Sequence, residues 1–421
     1  MGQRSITEGG KMGLQRSGSA VQWAWVSFLI LASVSAQAAQ TPTEDKQAWT
    51  ARMRKMAELV RTLQVDLADR SAAGEKDRNQ RLAGHAAQLA KIAHEIPEAG
   101  HQARAADPDP TLHLLGASLS QEAERASRAF ASGHPSYAKH LLGAVTGLCM
   151  GCHTQAPGRE GSLISEKDAT LQGLEPMDRA RLLAATRRFD AAVGEYREIL
   201  KTSAARSAAW EDALRSALAI EIRVKENPAA AAQLADQAVR SSQAVEGGAG
   251  ASSLKVRAQA WKKGIAEWSA EKPLSESASP ESILKSAEKW AKRGDAAQTY
   301  PMDQAGLVAY LRSAGLLHRY LRTRPEGERL AKALALLARV QIPLAELPGA
   351  ELPQLYFSAC VRVAPHTKVA RECYQGYEAE VRAGFTGSAG TDIPEEEMQR
   401  LKQLRDLAQP DTGATTPKKR I

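Results

Sequence analysis

The sequence predicts an all-α protein: an N-terminal antiparallel four-helix bundle followed by an α-solenoid of stacked helix pairs. Three observations lead there. Aromatic residues make up only 5% of the chain, and alanine recurs throughout. Long β-branched runs alternating with period two are absent. Apolar residues instead return at spacings of three and four, in segments bounded by Gly, Pro and Asp.

The 421 residues suffice for two or three domains of roughly 100–200 residues each. Composition divides them into a signal segment (1–38), a bundle (39–154), a linker (155–170), a helical-repeat region (171–409) with a sub-block boundary near 270–280, and a disordered tail (410–421). The net charge is +8, yet Lys and Arg interleave with Asp and Glu everywhere except in the last few residues, as on solvated helix faces. A weakly basic surface would suit an acidic partner protein. Nucleic-acid binding lacks the basic stripe with interleaved aromatics that it requires.

The first residues read as a Sec-type signal peptide. Arg4, Lys11 and Arg16 precede the apolar run Val21 to Val34, and Ala36-Gln37-Ala38 supplies a small-x-small cleavage pattern. A start at Met12 would serve equally well. The run falls short of the ~20 residues of a comfortable transmembrane span, although an uncleaved anchor stays open. Export, to the periplasm or beyond, with cleavage near Ala38 is the expectation. It places Cys149, Cys152, Cys360 and Cys373 in an oxidising compartment.

The bundle helices follow in order. The first carries Trp49, Met53, Met56, Val60, Leu63 and Leu67 at alternating spacings of four and three. The second begins after Asp77, shows Leu82, Leu89, Ile92 and Ile96, and is expected to stop at Pro97. The third begins after Asp109-Pro110 with Leu112, Leu115 and Leu119, then Ala123, Ala126 and Phe130, and breaks before Gly133. The fourth starts at Pro135 and runs through Tyr137, Leu141, Val145 and Leu148. Short connections between four one-faced helices describe an antiparallel bundle.

The fourth helix leads into Cys149-Met150-Gly151-Cys152-His153, the C-x-x-C-H attachment signature of c-type haem. Two thiols about one helical turn apart can bond to two vinyl groups on one porphyrin edge, and the adjacent imidazole reaches the iron. Other readings are weaker. A thioredoxin-like pair wants a βαβ context. Zinc wants two further ligands at suitable spacing. A plain disulfide leaves His153 unexplained. One covalent haem is expected, held by Cys149 and Cys152, with His153 as axial ligand.

A C-x-x-C-H closing the fourth helix of a bundle resembles the class II c-type cytochromes, the cytochrome c-prime group, over roughly residues 44–154. The pattern Arg52-x-x-x-Met56 in the first helix adds to the likeness. Six-coordinate members of that group use a first-helix Met as second axial ligand, so the resemblance implies Met56, with Met53 one turn away as the competing choice. An open sixth position, or one filled by His85, His94, His101, His113, His134 or His140, remains as the alternative. The chain departs from the group after the motif, where Thr154-Gln155 replaces the usual aromatic and basic residues.

In the second half, Met177 to Leu200 resembles one tetratricopeptide repeat, with Ala180, Leu183, Phe189, Ala192 and Tyr196 at the packing positions and Ile199 where a small residue is usual. Further helical segments span 208–224, 228–245, 254–268, 283–292, 307–321, 327–340, 352–363 and 368–381. Such stacks leave a concave surface for protein partners. Cys360 and Cys373 flank the Ala364-Pro365 turn, where a disulfide would tie the hairpin; free buried thiols are the alternative. Residues 385–390 read as a flexible loop before a helix start at Thr391 to Glu395. They lack the full phosphate-loop pattern.

Together these features predict an exported mono-haem electron carrier with a helical arm that docks its redox partner, and a bundle that could pair with a second copy. A haem-based gas sensor is the alternative, decided by the sixth ligand. Peroxidase chemistry lacks a second C-x-x-C-H and an acid–base pair, so no enzyme activity is expected.

Overall fold

The computed structural model describes residues 42–69, 71, 73–102, 109–155, 169–202, 207–243, 249–300, 303–344, 352–388 and 390–410. The signal segment (1–38), most of the linker (156–168) and nearly all of the tail (411–421) lie outside them. The described chain is all-α apart from one two-residue strand pair.

Helix α1 (Pro42–Ala68) and α2 (Glu75–Gln102) run antiparallel. The ion pairs Arg52–Glu95 (3.1 Å), Arg81–Asp66 (2.6 Å) and Arg78–Asp69 (2.9 Å) share one register, since the paired residue numbers have a constant sum. Helix α2 continues past Pro97 to Gln102, where the sequence predicts a stop. A proline removes one N–H from the ladder, a local loss that a long helix can carry.

Helix α3 (Thr111–Ala131) packs on α2 through a face of Leu115, Leu119, Ala123 and Ala126, spaced four, four and three. It closes with a Schellman turn. Gly133 takes φ +77°, and the N–H of His134 donates to the Ala129 carbonyl at 2.9 Å. That left-handed position favours glycine because a Cβ would crowd the following carbonyl. Pro135 at the first turn then restarts the chain as α4 (Pro135–His153), which returns along α3 and buries Ala138, Leu141, Leu142, Val145 and Leu148.

After the short α5 (Ala169–Gln172) come α6 (Pro176–Ala185), α7 (Phe189–Thr202) and α8 (Ala208–Ala219), which runs into a π-turn, Ile220–Val224. Then follow α9 (Pro228–Gln243), α10 (Ala249–Ala270), α11 (Pro280–Ala297), α12 (Leu307–Leu321), α13 (Gly327–Gln341), α14 (Leu352–Val363), α15 (Lys368–Gly384) and α16 (Glu395–Ala408). Consecutive helices pack as hairpins along most of this run.

Three buried tryptophans anchor the layers, and each satisfies its indole N–H: Trp210 with Leu200 O, Trp261 with Gln304 O and Trp290 with Glu271 Oε2. Close approach between α14 and α15 depends on Gly376, where a Cβ would lie 2.5 Å from the Phe357 ring.

Cys360 on α14 and Cys373 on α15 are joined by a disulfide with Cα atoms 6.2 Å apart. Thr386–Gly387 pairs with Gly390–Thr391, so the glycine-bearing loop before α16 carries a minimal hairpin. From Trp49 onward the chain forms one unit, in which α4 packs on α6 and α3 on α14. No helix among the described residues is long and apolar enough to cross a membrane.

Candidate functional site

The C-x-x-C-H segment forms the last turn of α4. Cys149 and His153 are four residues apart, on one helix face, and Cys152 lies one turn from Cys149. Both sulfurs are half-buried thiols that are not bridged. Desolvation pushes the Cys149 thiol up to about 12.

His153 is oriented from outside the bundle helices. Its Nδ1 lies 2.6 Å from the carbonyl oxygen of Ala185, the last residue of α6. A carbonyl only accepts, so Nδ1 carries a proton, which leaves Nε2 as the nitrogen whose lone pair a neutral ring would offer. The α6 terminus explains why this carbonyl is available. Arg187 adopts φ +67°, and the turn uses the carbonyls of Leu182, Leu183 and Ala184 for the N–H groups of Thr186, Arg188 and Arg187. The Ala185 oxygen is left for an external donor, at the negative end of the helix dipole. Two thiols and a tautomer-fixed imidazole on one helical turn are the donor set that fits a porphyrin bound by thioether links.

Met56 is 6% exposed and Met53 partly buried. The registers bring both to the motif's end of the bundle helices: Arg52 is level with Glu95, the start of α3 follows the end of α2, and Thr111 at the start of α3 meets Gln155 just past α4. His85 lies nearer the other end, with Nδ1 3.8 Å from Asp66. His94, His113, His134 and His140 are exposed, and the burial of His101 lies outside the described residues.

Behind the motif sits a buried polar cluster drawn from both halves of the chain. Asp109 accepts the backbone N–H of Thr111 (2.9 Å) and its hydroxyl (2.7 Å) on Oδ1, and takes the Nδ1–H of His318 on Oδ2 at 2.9 Å. Gln155, two residues beyond the motif, lies 3.1 Å from the Thr111 hydroxyl, reaches Tyr356 Oη at 3.5 Å and offers its carbonyl to Arg322 at 2.8 Å.

Burial raises the Asp109 carboxyl, but His318 and Thr111 outweigh it and hold it below the usual carboxylate range. Burial pushes His318 down, Arg223 and Arg322 add to this, and Asp109 offsets them only in part. The pair is therefore carboxylate and neutral imidazole.

Sequence reasoning did not find Asp109, His318, Arg223, Tyr356 or the Ala185 carbonyl. Asp109 read only as a helix-start signal and the others lie within ordinary helical patterns, so only the meeting of distant helices reveals them. The one local signal was the Thr154-Gln155 departure from the class II pattern. Comparison with protein-family models, curated proteins and solved structures gives no match to this chain.

Proposed function

We propose that this chain is an exported mono-haem c-type cytochrome that carries electrons. In this reading α1–α4 are a class II-like four-helix bundle, and the helix pairs from α6 onward are a degenerate tetratricopeptide-like solenoid that docks a redox partner. The haem links to Cys149 and Cys152 and is ligated by His153, with Met56 as sixth ligand. When bound, the haem supplies one-electron redox chemistry. The polypeptide holds the imidazole in one tautomer, keeps the attachment turn rigid and shields one side with the Leu141, Val145 and Leu148 stripe.

The observation that carries the reading is the bond from His153 Nδ1–H to the Ala185 carbonyl beside two unbridged thiols. A metal-ligating imidazole commonly donates its other N–H to a carbonyl or carboxylate, which fixes the ring and raises its basicity. The same contact means that the solenoid also sets the proximal side, so α6 belongs to the haem site.

The experiment is production in a host competent in cytochrome maturation, followed by denaturation and acid–acetone extraction. Retained haem mass on the polypeptide is expected, and its absence ends the proposal. An optical spectrum of the same sample should show low-spin iron, converted to high-spin by Met56→Ala; an unchanged spectrum removes Met56 as ligand.

A further inference from the structure

The polar cluster behind the motif holds a cation that the described residues do not balance. Arg223 lies on the π-turn, and only 4% of it is exposed. Its buried Nε meets no acceptor among the described residues, and none of their carboxylates pairs with it. The π-turn packs on α12, which carries His318 and leads into Arg322.

Neither nearby acid pairs with Arg223. Asp109 serves Thr111 and His318. Glu221, two residues before Arg223, turns Oε1 to Lys225 at 3.6 Å and Arg197 at 3.9 Å, and its buried Oε2 meets no hydrogen-bond donor among the described residues. Tyr356 is wholly buried and accepts from Gln155, which leaves its own O–H to donate. Desolvation lowers the Arg223 guanidinium only to about 10, so it is charged at neutral pH. An uncompensated buried charge is strongly disfavoured, and a planar guanidinium fork matches a carboxylate. π-Turns recur at functional sites because the extra residue widens the helix.

We propose that Arg223 and Tyr356 form an anion site that takes one carboxylate group. The charged and titratable groups around it are Arg223 and Arg322 as cations, Asp109 as the anion held by His318, the imidazole of His318 and, beside Tyr356, the Cys152 thiol. Two sources share this chemistry. One is a side-chain carboxylate of the porphyrin, and this arm rests on the proposed function. The other is a free small carboxylate, which does not.

The test uses the full chain in two forms, matured with haem and produced without cytochrome maturation. Thermal midpoints are measured in acetate and in chloride at equal ionic strength, and difference infrared spectra of the matured form follow the porphyrin carboxylate stretch. If the porphyrin fills the site, acetate raises the midpoint of the haem-free chain alone, and Arg223→Gln shifts the stretch. If a free carboxylate fills it, acetate raises the midpoint of the matured chain as well.

Arg223→Gln should abolish either acetate effect while leaving the midpoint of the haem-free chain in chloride unchanged or higher. Tyr356→Phe should weaken acetate about tenfold, the scale of one lost hydrogen bond to a charged group. The absence of any Arg223-dependent carboxylate signal, thermal or infrared, overturns the site. So does a fall in the chloride midpoint of the haem-free chain on Arg223→Gln, which would show a cation already paired within the protein. If the haem-free chain does not fold, the acetate and infrared results on the matured form decide alone. If no haem is retained after extraction, the proposed function fails while the acetate result on the haem-free chain still decides the site.

Discussion

Cys360 and Cys373 lie on two neighbouring helices, fully buried, with their sulfurs joined; Cys149 and Cys152 lie on a single helical turn, half-buried, and remain thiols. Both pairs belong to the same chain and would meet the same redox environment. The difference lies in what each cross-link could do. A bond between α14 and α15 closes a loop with a sequence separation of 13 and constrains the unfolded chain, whereas one within a single helical turn would constrain almost nothing. One pair ties two helices together. The other remains two thiols, which the proposed function assigns to haem.

The contrast breaks most sharply at the first pair. Cys149→Ala combined with Cys152→Ala should abolish covalent haem entirely, as read by haem staining after denaturing electrophoresis, while the Cys360–Cys373 bridge survives in a thiol titration. Retention of covalent haem by the double variant would remove the distinction between the pairs.

Next in size comes the Asp109–His318 pair, which ties the first region to the second. Asp109→Ala leaves three buried donors without their acceptor, the His318 Nδ1–H and the Thr111 N–H and hydroxyl, and at roughly 1–3 kcal/mol per donor a loss of about 3–5 kcal/mol is expected in denaturant unfolding. The pH dependence has a definite sign. His318 is held below its usual range, so its folded form resists a proton that the unfolded chain takes up at about pH 6.5. Stability is therefore complete above that pH and declines as the pH falls below it. Asp109, also held low, adds a further decline below about pH 4. His318→Gln should flatten the upper part of that decline, and an unchanged pH profile would show that the pair does not titrate.

Opening the second pair should cost less and leave the haem untouched. Cys360→Ala with Cys373→Ala is expected to lose about 3 kcal/mol, from the entropy of a loop of this length. An accompanying change in the haem spectrum would mean that the two regions are not chemically independent.

The smallest effect sharpens the same hairpin. Thr367 caps α15 by accepting the N–H of Ala370 at 3.2 Å, and Thr367→Ala should lower stability by about 1 kcal/mol, measured in the same denaturant series.

Much of the helical framework was readable in advance. The expected segments 307–321 and 352–363 coincide with α12 and α14, because their apolar spacing is regular and Gly, Pro or charged residues bound them. Pro97 misled because a stop signal acts on one hydrogen bond and a long helix can pass it. The π-turn at 220–224 was invisible because its residues have ordinary helix propensity; the extra residue is a packing outcome.

At the candidate site, the grouping of Cys149, Cys152 and His153 was legible because it depends on spacing within one turn, and local spacing is written in sequence. The carbonyl that orients His153 and the Asp109–His318 pair were not legible. They join residues 32 and 209 positions apart. Burial decides whether such polar groups must find partners, and burial is a property of how helices meet. The sequence by itself determined most of the helices and that Cys149, Cys152 and His153 share one helical turn. Only the tertiary structure decided that a helix beyond the first four reaches back to set the imidazole through Ala185, because a hydrogen bond between distant helices leaves no periodic trace in either one.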